Sequence, residues 1–421
     1  MLSGPEERKQ MREEKARQRA ARESKRRKLR LIIAAVVLVA CGLLIFFVVR
    51  RPAAPVTDPT ESTPGTTEAI PSESQGTPAT TVIHYRAAGD LNINELTVAA
   101  GGDGYQYTDT FLDVAHLLAD GDISSLNFEG NLCGAPYGST FSAPQSMAEA
   151  LQKSGVDLVQ MANSYSINRG LAGLTASIDA IRAAGMEPLG VYATNADFKA
   201  GKGYVIRNVQ GVKMAFVAFT KGMDGMALPA GSENCVNVLY KDYDSGYQKV
   251  DTERITSVLS AVNKERPDIV VALLHWGSAF NDTISASQKD IVSLLQRYGV
   301  DAIIGTHSHY VQQMSYDGET GQFVAYSLGD FFSDTGRAGT EYSVVLDLEI
   351  TKDNKTGAAK ITGFSYTPIF TVSEEGMPLK VVRIAEAVEA YESGYLNRVS
   401  AETYQKMLYA LDRIQARING N

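Results

Sequence analysis

Residues 267–278 read PDIVVALLHWGS, residues 301–310 read DAIIGTHSHY, and residues 323–332 read FVAYSLGDFF. Each is an apolar run of strand length that stops abruptly at groups able to hold a metal or an anion. The first ends at His275-Trp276-Gly277, the second at His307-Ser308-His309 and the third at Ser327-Leu328-Gly329-Asp330. The chain has five histidines, and three of them stand at these ends. Its one tryptophan adjoins one of the three. Short continuous apolar runs bounded by Gly and polar residues fit strands buried on both faces.

Outward from this stretch, the same alternation of apolar strand and helical text extends upstream. Strands are predicted at Val82–Ala88, Ile123–Asn127, Leu158–Met161, Pro188–Val191 and Lys213–Phe219. Helices are predicted at Thr110–Asp120, Ser142–Lys153, Leu171–Ala184, Asp251–Arg266 and Ser285–Tyr298. That order predicts an α/β fold with a largely parallel sheet. After Phe323 the text changes. Phe323–Ser327, Tyr342–Ile350 and Lys360–Phe370 read as strands joined by short turns, hence an antiparallel second sheet or sheet edge. Helices at Ala385–Glu392 and Ala401–Ile418 close the chain. Residues 83–421 read as one domain.

In open α/β sheets ligands gather outside the carboxyl ends of the strands. This chain places Asp90, Asn127, Glu129, Asn163, Ser164, His275, His307 and His309 there. Carboxylate, amide oxygen and imidazole form a borderline-hard set that suits Mn, Fe, Zn or Mg better than copper or calcium. His307 and His309 are two apart, so a turning loop must aim both at one centre, and Gly305 and Gly277 give the backbone room to turn. Any one of these residues alone reads as a cap, a turn or a packed histidine. Five strand ends pointing the same way do not. His84 is mid-strand and His116 mid-helix, so both read as structural.

The N-terminal part is of another kind. Residues 1–30 carry twelve Lys/Arg and five Asp/Glu, net +7, and Arg50 and Arg51 add two more. Because the whole chain is at −8, the remainder carries −17. An acidic body argues against a nucleic-acid partner. Residues 31–49, LIIAAVVLVACGLLIFFVV, hold no charge and match the length needed to cross a hydrocarbon core of about 30 Å. The basic flank predicts a single-pass anchor in the cell membrane with the N-terminus inside and the main domain extracellular. Leu38-Val39-Ala40-Cys41 offers an alternative, a lipoprotein box with Cys41 as lipid anchor, but the run stays apolar for eight residues beyond it. Residues 50–82, rich in Pro, Thr and Ser, read as a disordered linker. Cys133 and Cys235 read as two free thiols or, outside the cell, as a pair.

Five blocks then carry a resemblance: Gly89-Asp90, NFEG at 127–130, HWG at 275–277, GTHSH at 305–309 and YSLGDF at 326–331. In order and spacing they resemble the CapA-like poly-γ-glutamate capsule synthesis family, related to calcineurin-like metallophosphoesterases. The resemblance implies a metallophosphoesterase-like four-layer α/β/β/α sandwich with one or two divalent transition-metal ions (Mn, Fe or Zn). It implies Asp90, Glu129, Ser164, His275, His307 and His309 as metal ligands. His275, Tyr165 and Asn163 would be catalytic, with Asn127, Trp276 and Asp330 in binding roles. It implies a role in the synthesis, export or anchoring of an anionic cell-surface polymer, with that polymer or its synthesis machinery as partner. The other expectation is a metal-dependent phosphoesterase or a polymer-binding module with a vestigial site.

The sequence also departs from the family pattern. The family's Asn-Asn-His block reads Asn163-Ser164-Tyr165, with Asn168 in place of a later Asp. The general-acid position is thus Tyr165, whose ordinary pKa near 10 makes it a poorer proton donor than His at pH 7. Ser278-Ala279 follow HWG where an acid is usual, and Asp330 replaces the Asn of SLGNF.

Overall fold

The computed structural model describes residues 79–395 and 398–420. The basic segment 1–30, the apolar run 31–49 and nearly all of the linker 50–82 lie outside them. Among the described residues no helix is long and apolar enough to cross a membrane.

Among the described residues fourteen strands form two sheets. They are β1 Thr80–Asn92, β2 Ile123–Glu129, β3 Leu158–Gln160, β4 Glu187–Leu189, β5 Tyr204–Val209, β6 Val212–Thr220, β7 Ile269–His275, β8 Ala302–Thr306, β9 Met314–Asp317, β10 Gln322–Ala325, β11 Asp330–Phe332, β12 Tyr342–Asp353, β13 Ala359–Val372 and β14 Lys380–Arg383. The helices are α1 Glu95–Ala99, α2 Thr108–Phe111, α3 Ala115–Ala119, α4 Gln145–Lys153, α5 Gly170–Ala183, α6 Asn195–Gly201, α7 Thr252–Lys264, α8 Ala286–Arg297, α9 Ile384–Ser393 and α10 Ala401–Ile418.

The first sheet runs β14-β13-β12-β1-β2-β3-β4, with β11 paired to β1. The second runs β5-β6-β7-β8-β10-β9. The strand–helix order predicts a largely parallel sheet, but both sheets are mixed, because β12–β14 extend the first antiparallel and β5 and β9 flank the second antiparallel. Buried strands such as β2 and β7 need cover on both faces. The linear pattern does not say whether helix or sheet provides it. Here Ile83, Tyr85 and Ala87 of β1 meet Phe216 of β6 and Val271 and Leu273 of β7 between the sheets. Helices α4 and α5 cover the outer face of the first sheet through Met147, Leu151, Leu174 and Ile178. Helices α7 and α8 cover that of the second through Ile255, Leu259, Ile291 and Leu295. Met407, Ala410 and Ile414 of α10 join the inter-sheet core. The result is a mixed α/β sandwich.

Several elements differ from the sequence reading. Strand β10 was expected to be antiparallel with the late strands, but it runs parallel to β8 and completes the second sheet. The late strands β12 and β13 instead extend the first sheet antiparallel through β1. Strand β5 was not foreseen. It enters β6 through Gln210-Gly211, both at positive φ (50° and 88°), a two-residue turn of the kind that joins tight hairpins. The predicted helix over 110–120 is broken into α2 and α3. Cys133 and Cys235 are both free.

Candidate metal centre

Strand alternation decides which strand-end residues meet. On β7, Ile269, Val271 and Leu273 face the inter-sheet core, while Val270, Ala272 and Leu274 face the helices. His275 continues the first set and Trp276 the second. On β1, Asp90 and Asn92 lie on the face opposite Leu91; on β2, Asn127 and Glu129 lie opposite Leu126 and Phe128. The polar residues therefore converge at one end of the space between the sheets.

Two triads of buried ligand groups form there, Glu129/His275/His307 and Asp90/Glu129/His309, each with its ligand atoms within 4.8 Å of one another. Glu129 belongs to both. His275 Nε2 is 3.1 Å from Glu129 Oε1 and 2.9 Å from Ser164 Oγ. Its Nδ1 lies 3.1 Å from Thr306 Oγ1 and 3.3 Å from Asn127 Nδ2. The His275 and His307 rings are 4.4 Å apart between centroids. Asp90 is held on both oxygens: Asn127 Nδ2 donates to Oδ1 at 2.6 Å and the His307 backbone N–H to Oδ2 at 2.8 Å. Asn163 sets the amide of Asn127, donating to its Oδ1 at 3.1 Å. Asp330, the register partner of Asp90, accepts from His309 Nδ1 at 2.9 Å. That leaves Nε2 of His309 for ligation, an arrangement in which a carboxylate fixes the tautomer of a metal-binding histidine.

Backbone geometry shows how the two histidines are aimed. His307 and His309 have φ of 85° and 59°, in the left-handed region that ordinary residues avoid. The turn is made by the histidines themselves. Gly305 has another job: a Cβ there would sit 2.0 Å from the Tyr326 carbonyl oxygen, so the strands can approach only around a glycine. Gly277, at φ 78°, does take a backbone conformation that favours glycine.

The donor set fits a divalent transition metal. Among the described residues Glu129 Oε2 and His307 Nε2 are buried without any hydrogen-bond partner, which costs about 1–3 kcal/mol per atom unless an ion or water satisfies them. Burial holds the His307 imidazole well below its usual pKa, helped by His275 and Lys221, so it is neutral and ready to ligate. Burial and then the neighbouring Glu129 charge push Asp90 up to about 6. Burial also acts to raise Glu129, but His275 and His309 outweigh it and hold the carboxyl below its ordinary value. For His309, burial acts downward, yet Asp330, Glu129 and Asp90 raise it to about 10.

A pH dependence follows. In metal-free protein at pH 7, His309 is protonated, because its pKa is raised above 7, and that proton must leave before the residue can ligate. Metal affinity is expected to rise about tenfold per pH unit between pH 7 and 9 and to weaken further below pH 6, where Asp90 protonates. Calorimetric titration with Mn²⁺ or Zn²⁺ in buffers of different ionisation enthalpy counts the protons; no proton release at pH 7 would remove the assignment of His309 as a ligand.

The remaining predicted residues divide. Ser164 is within reach of both His275 and His307, at 2.9 and 3.5 Å. Tyr165 is half-buried, with its ring stacked on Phe141 at 4.1 Å. Burial, then the charges of Glu129 and Asp224, push its hydroxyl up to about 12. Trp276 is not brought to the centre. It is fully buried on the helix side of β7, stacked on Tyr326 and donating from Nε1 to the Tyr326 carbonyl at 2.9 Å. Adjacent strand residues face opposite ways, so His275 and Trp276 cannot serve one pocket. His84 pairs with Asp347 on β12 and is not part of the cluster.

Three contributors, Thr306, Asn92 and Phe280, carry no reading from sequence, and the place of a fourth, Arg337, is decided only by the fold. Thr306 steadies His275. Asn92 follows Asp90 at strand spacing and is the register partner of Glu129, with its buried Nδ2 unpartnered; period-2 counting from Asp90 would have found it. Phe280 stacks on His309 at 4.5 Å. Arg337 lies over Phe280, and no local pattern announces that.

Fold and donor set together describe an α/β sandwich with a buried cluster at its strand ends that could hold a metal ion. Residues 84–335, more than half the chain, match the family model "Bacterial capsule synthesis protein PGA_cap". The chain belongs to that family. It is 23% identical over 322 residues to "Capsule biosynthesis protein CapA" of Bacillus anthracis, covering 73% of this chain and 71% of that protein. It is 22% identical over 271 residues to "PGA biosynthesis protein CapA" of Bacillus subtilis, covering 64% and 67%. Among solved structures it is similar to the calcineurin-like phosphoesterase YfkN of Bacillus subtilis, with a TM-score of 0.43 and 15% identity, covering 81% of this chain and 98% of that one.

Proposed function

We propose that the protein is a membrane-anchored extracellular member of its family that takes part in the synthesis, export or anchoring of an anionic capsule polymer such as poly-γ-glutamate. The observation that carries this reading is the family match across residues 84–335, which contains both ligand triads. The apolar run 31–49 with its basic flank supports the membrane anchor, and residues 50–82 supply a tether between membrane and body.

An acidic body must receive a polyanion through local positive charge. Lys221, at the end of β6, donates to the Gly277 carbonyl at 2.9 Å, beside HWG. A bound divalent ion would add Lewis acidity and charge neutralisation at the triads. The chain's own residues do the rest. Asn127 and the His307 amide hold the Asp90 carboxylate in place, and Asp330 orients His309.

The second reading is an extracellular metal-dependent phosphoesterase. The shared carboxylate and the three converging imidazoles favour it. Tyr165 opposes it, because a hydroxyl with a pKa near 12 gives up a proton to a leaving group poorly at pH 7.

Deletion of the gene in its host, with complementation, tests the first reading. Surface polymer is expected to fall to background on deletion, to return with the wild-type chain, and to stay low with Glu129→Gln. Protease added to intact cells is expected to digest the body. Unchanged surface polymer, or a body protected in intact cells, would remove the proposal.

A further inference from the structure

The Arg337 guanidinium carbon lies 4.0 Å above the Phe280 ring, and Phe280 stacks on His309 at 4.5 Å. One aromatic ring therefore separates this cation from the metal centre. Arg337 is exposed, and among the described residues no carboxylate pairs with it. Arg86, Arg207, Arg254, Arg383 and Arg417 each hold an acid. Stacking uses the face of the guanidinium and leaves its edge N–H donors free, in the planar fork that matches a carboxylate.

The loop that carries Arg337 is built. The Thr335 and Thr340 hydroxyls are 2.7 Å apart, and Thr340 Oγ1 donates to the Arg337 carbonyl at 2.9 Å. Gly336 and Gly339 take φ of 67° and 95°. Asn94 Nδ2 ties the loop to the body by donating to the Asp334 carbonyl at 3.1 Å.

Arg337 also lines a polar groove of about 290 Å³, with Thr340, Thr371, Ser373 and Lys406 among its walls and two carboxylates, Asp334 and Glu341, that accept hydrogen bonds from Gly336 N–H, Ser373 Oγ and Gly339 N–H. No member of the metal triads lines it. Thr371 there is 4% exposed as a residue, and its buried hydroxyl has no hydrogen-bond partner among the described residues, a polar group left to be satisfied at the wall of the groove. Centre and groove are thus two compartments joined by one unpaired cation.

We propose that Arg337 and this groove form a subsite for a neighbouring unit of a carboxylate-bearing polymer, one anionic group of which is held at the metal centre. This rests on the polymer reading above. A repeating chain can engage both compartments at once, so the second contact acts at high effective concentration. A single free unit gains nothing from it.

The test uses the full-length, metal-loaded protein in detergent, with poly-γ-glutamate and free glutamate as probes. Arg337→Ala is expected to weaken polymer binding about tenfold, the scale of losing one charge-assisted hydrogen-bonding contact. Free glutamate should shift by less than about twofold on the same scale. Arg337→Lys, which keeps the charge and loses the fork, should fall between. Metal content and unfolding temperature report that the exposed substitution leaves the fold intact. Equal polymer affinity in wild type and Arg337→Ala would overturn the subsite alone. A wild-type protein that holds metal but binds no polymer would overturn the polymer reading and the subsite with it.

Discussion

Glu129→Gln is expected to empty the metal centre, while His307→Ala and His309→Ala are each expected to disable one triad. Glu129 is the only residue common to both triads, it is buried, and its second oxygen has no partner among the described residues. Gln keeps the shape and removes the charge that would balance a divalent ion in a site of low dielectric. Altering even an outer partner of a metal ligand costs about 10–100-fold in affinity, so loss of the shared carboxylate should cost at least about 100-fold. Metal per chain after dialysis, by plasma mass spectrometry, reads this directly. Thermal unfolding gives a second measure: added metal should stabilise the wild type by about 2.7 kcal/mol at 100 times its Kd and leave Glu129→Gln where it was. A Glu129→Gln protein that retains wild-type metal content would refute the shared-ligand assignment.

Tyr165→His is expected to raise hydrolysis of a generic aryl phosphate about 100-fold in the metal-loaded protein. In the wild type, the group at this position is a hydroxyl pushed up to about 12 by burial and by the Glu129 and Asp224 charges. It keeps its proton at neutral pH when a leaving group needs one. A positioned general acid is worth about 10²–10⁴-fold, and imidazole has the right ordinary pKa. The ring space is already present, since Tyr165 lies flat against Phe141 at 4.1 Å, and a histidine can take the same stack. Initial rates at pH 6–7 with Mn²⁺ are the measurement. No gain, with metal retained, would mean that proton donation from this position is not what limits hydrolysis, and Tyr165 would no longer be the feature that weighs against the phosphoesterase reading.

Much of the centre was legible in the linear chain. Apolar runs ending in Asp90, Glu129, His275, His307 and His309 marked the strand ends, because a buried strand can carry polar side chains only where it leaves the core. The binding role that the resemblance implies for Trp276 does not fit its place in the fold, because a strand turns neighbours to opposite faces and His275 takes the face of the centre. Asn92 was overlooked although the same alternation pointed to it. The pairing of His309 with Asp330 depends on β11 lying parallel to β1, with Asp90 and Asp330 in register. That contact spans 240 positions of sequence and leaves no local signal.

The sequence by itself determined most of the strand–helix order, an acidic body with potential metal ligands at its strand ends, and the family resemblance that the match over residues 84–335 bears out. It could do so because strand and helix periodicity, turn residues and ligand chemistry are local properties. Tertiary structure alone decided that the strands divide into two facing sheets, that Glu129 serves both triads, and that Phe280 and Arg337 stand over His309. Those facts depend on which buried face covers which. Hydrophobic burial rewards any good cover, so the choice is made only when the whole chain packs.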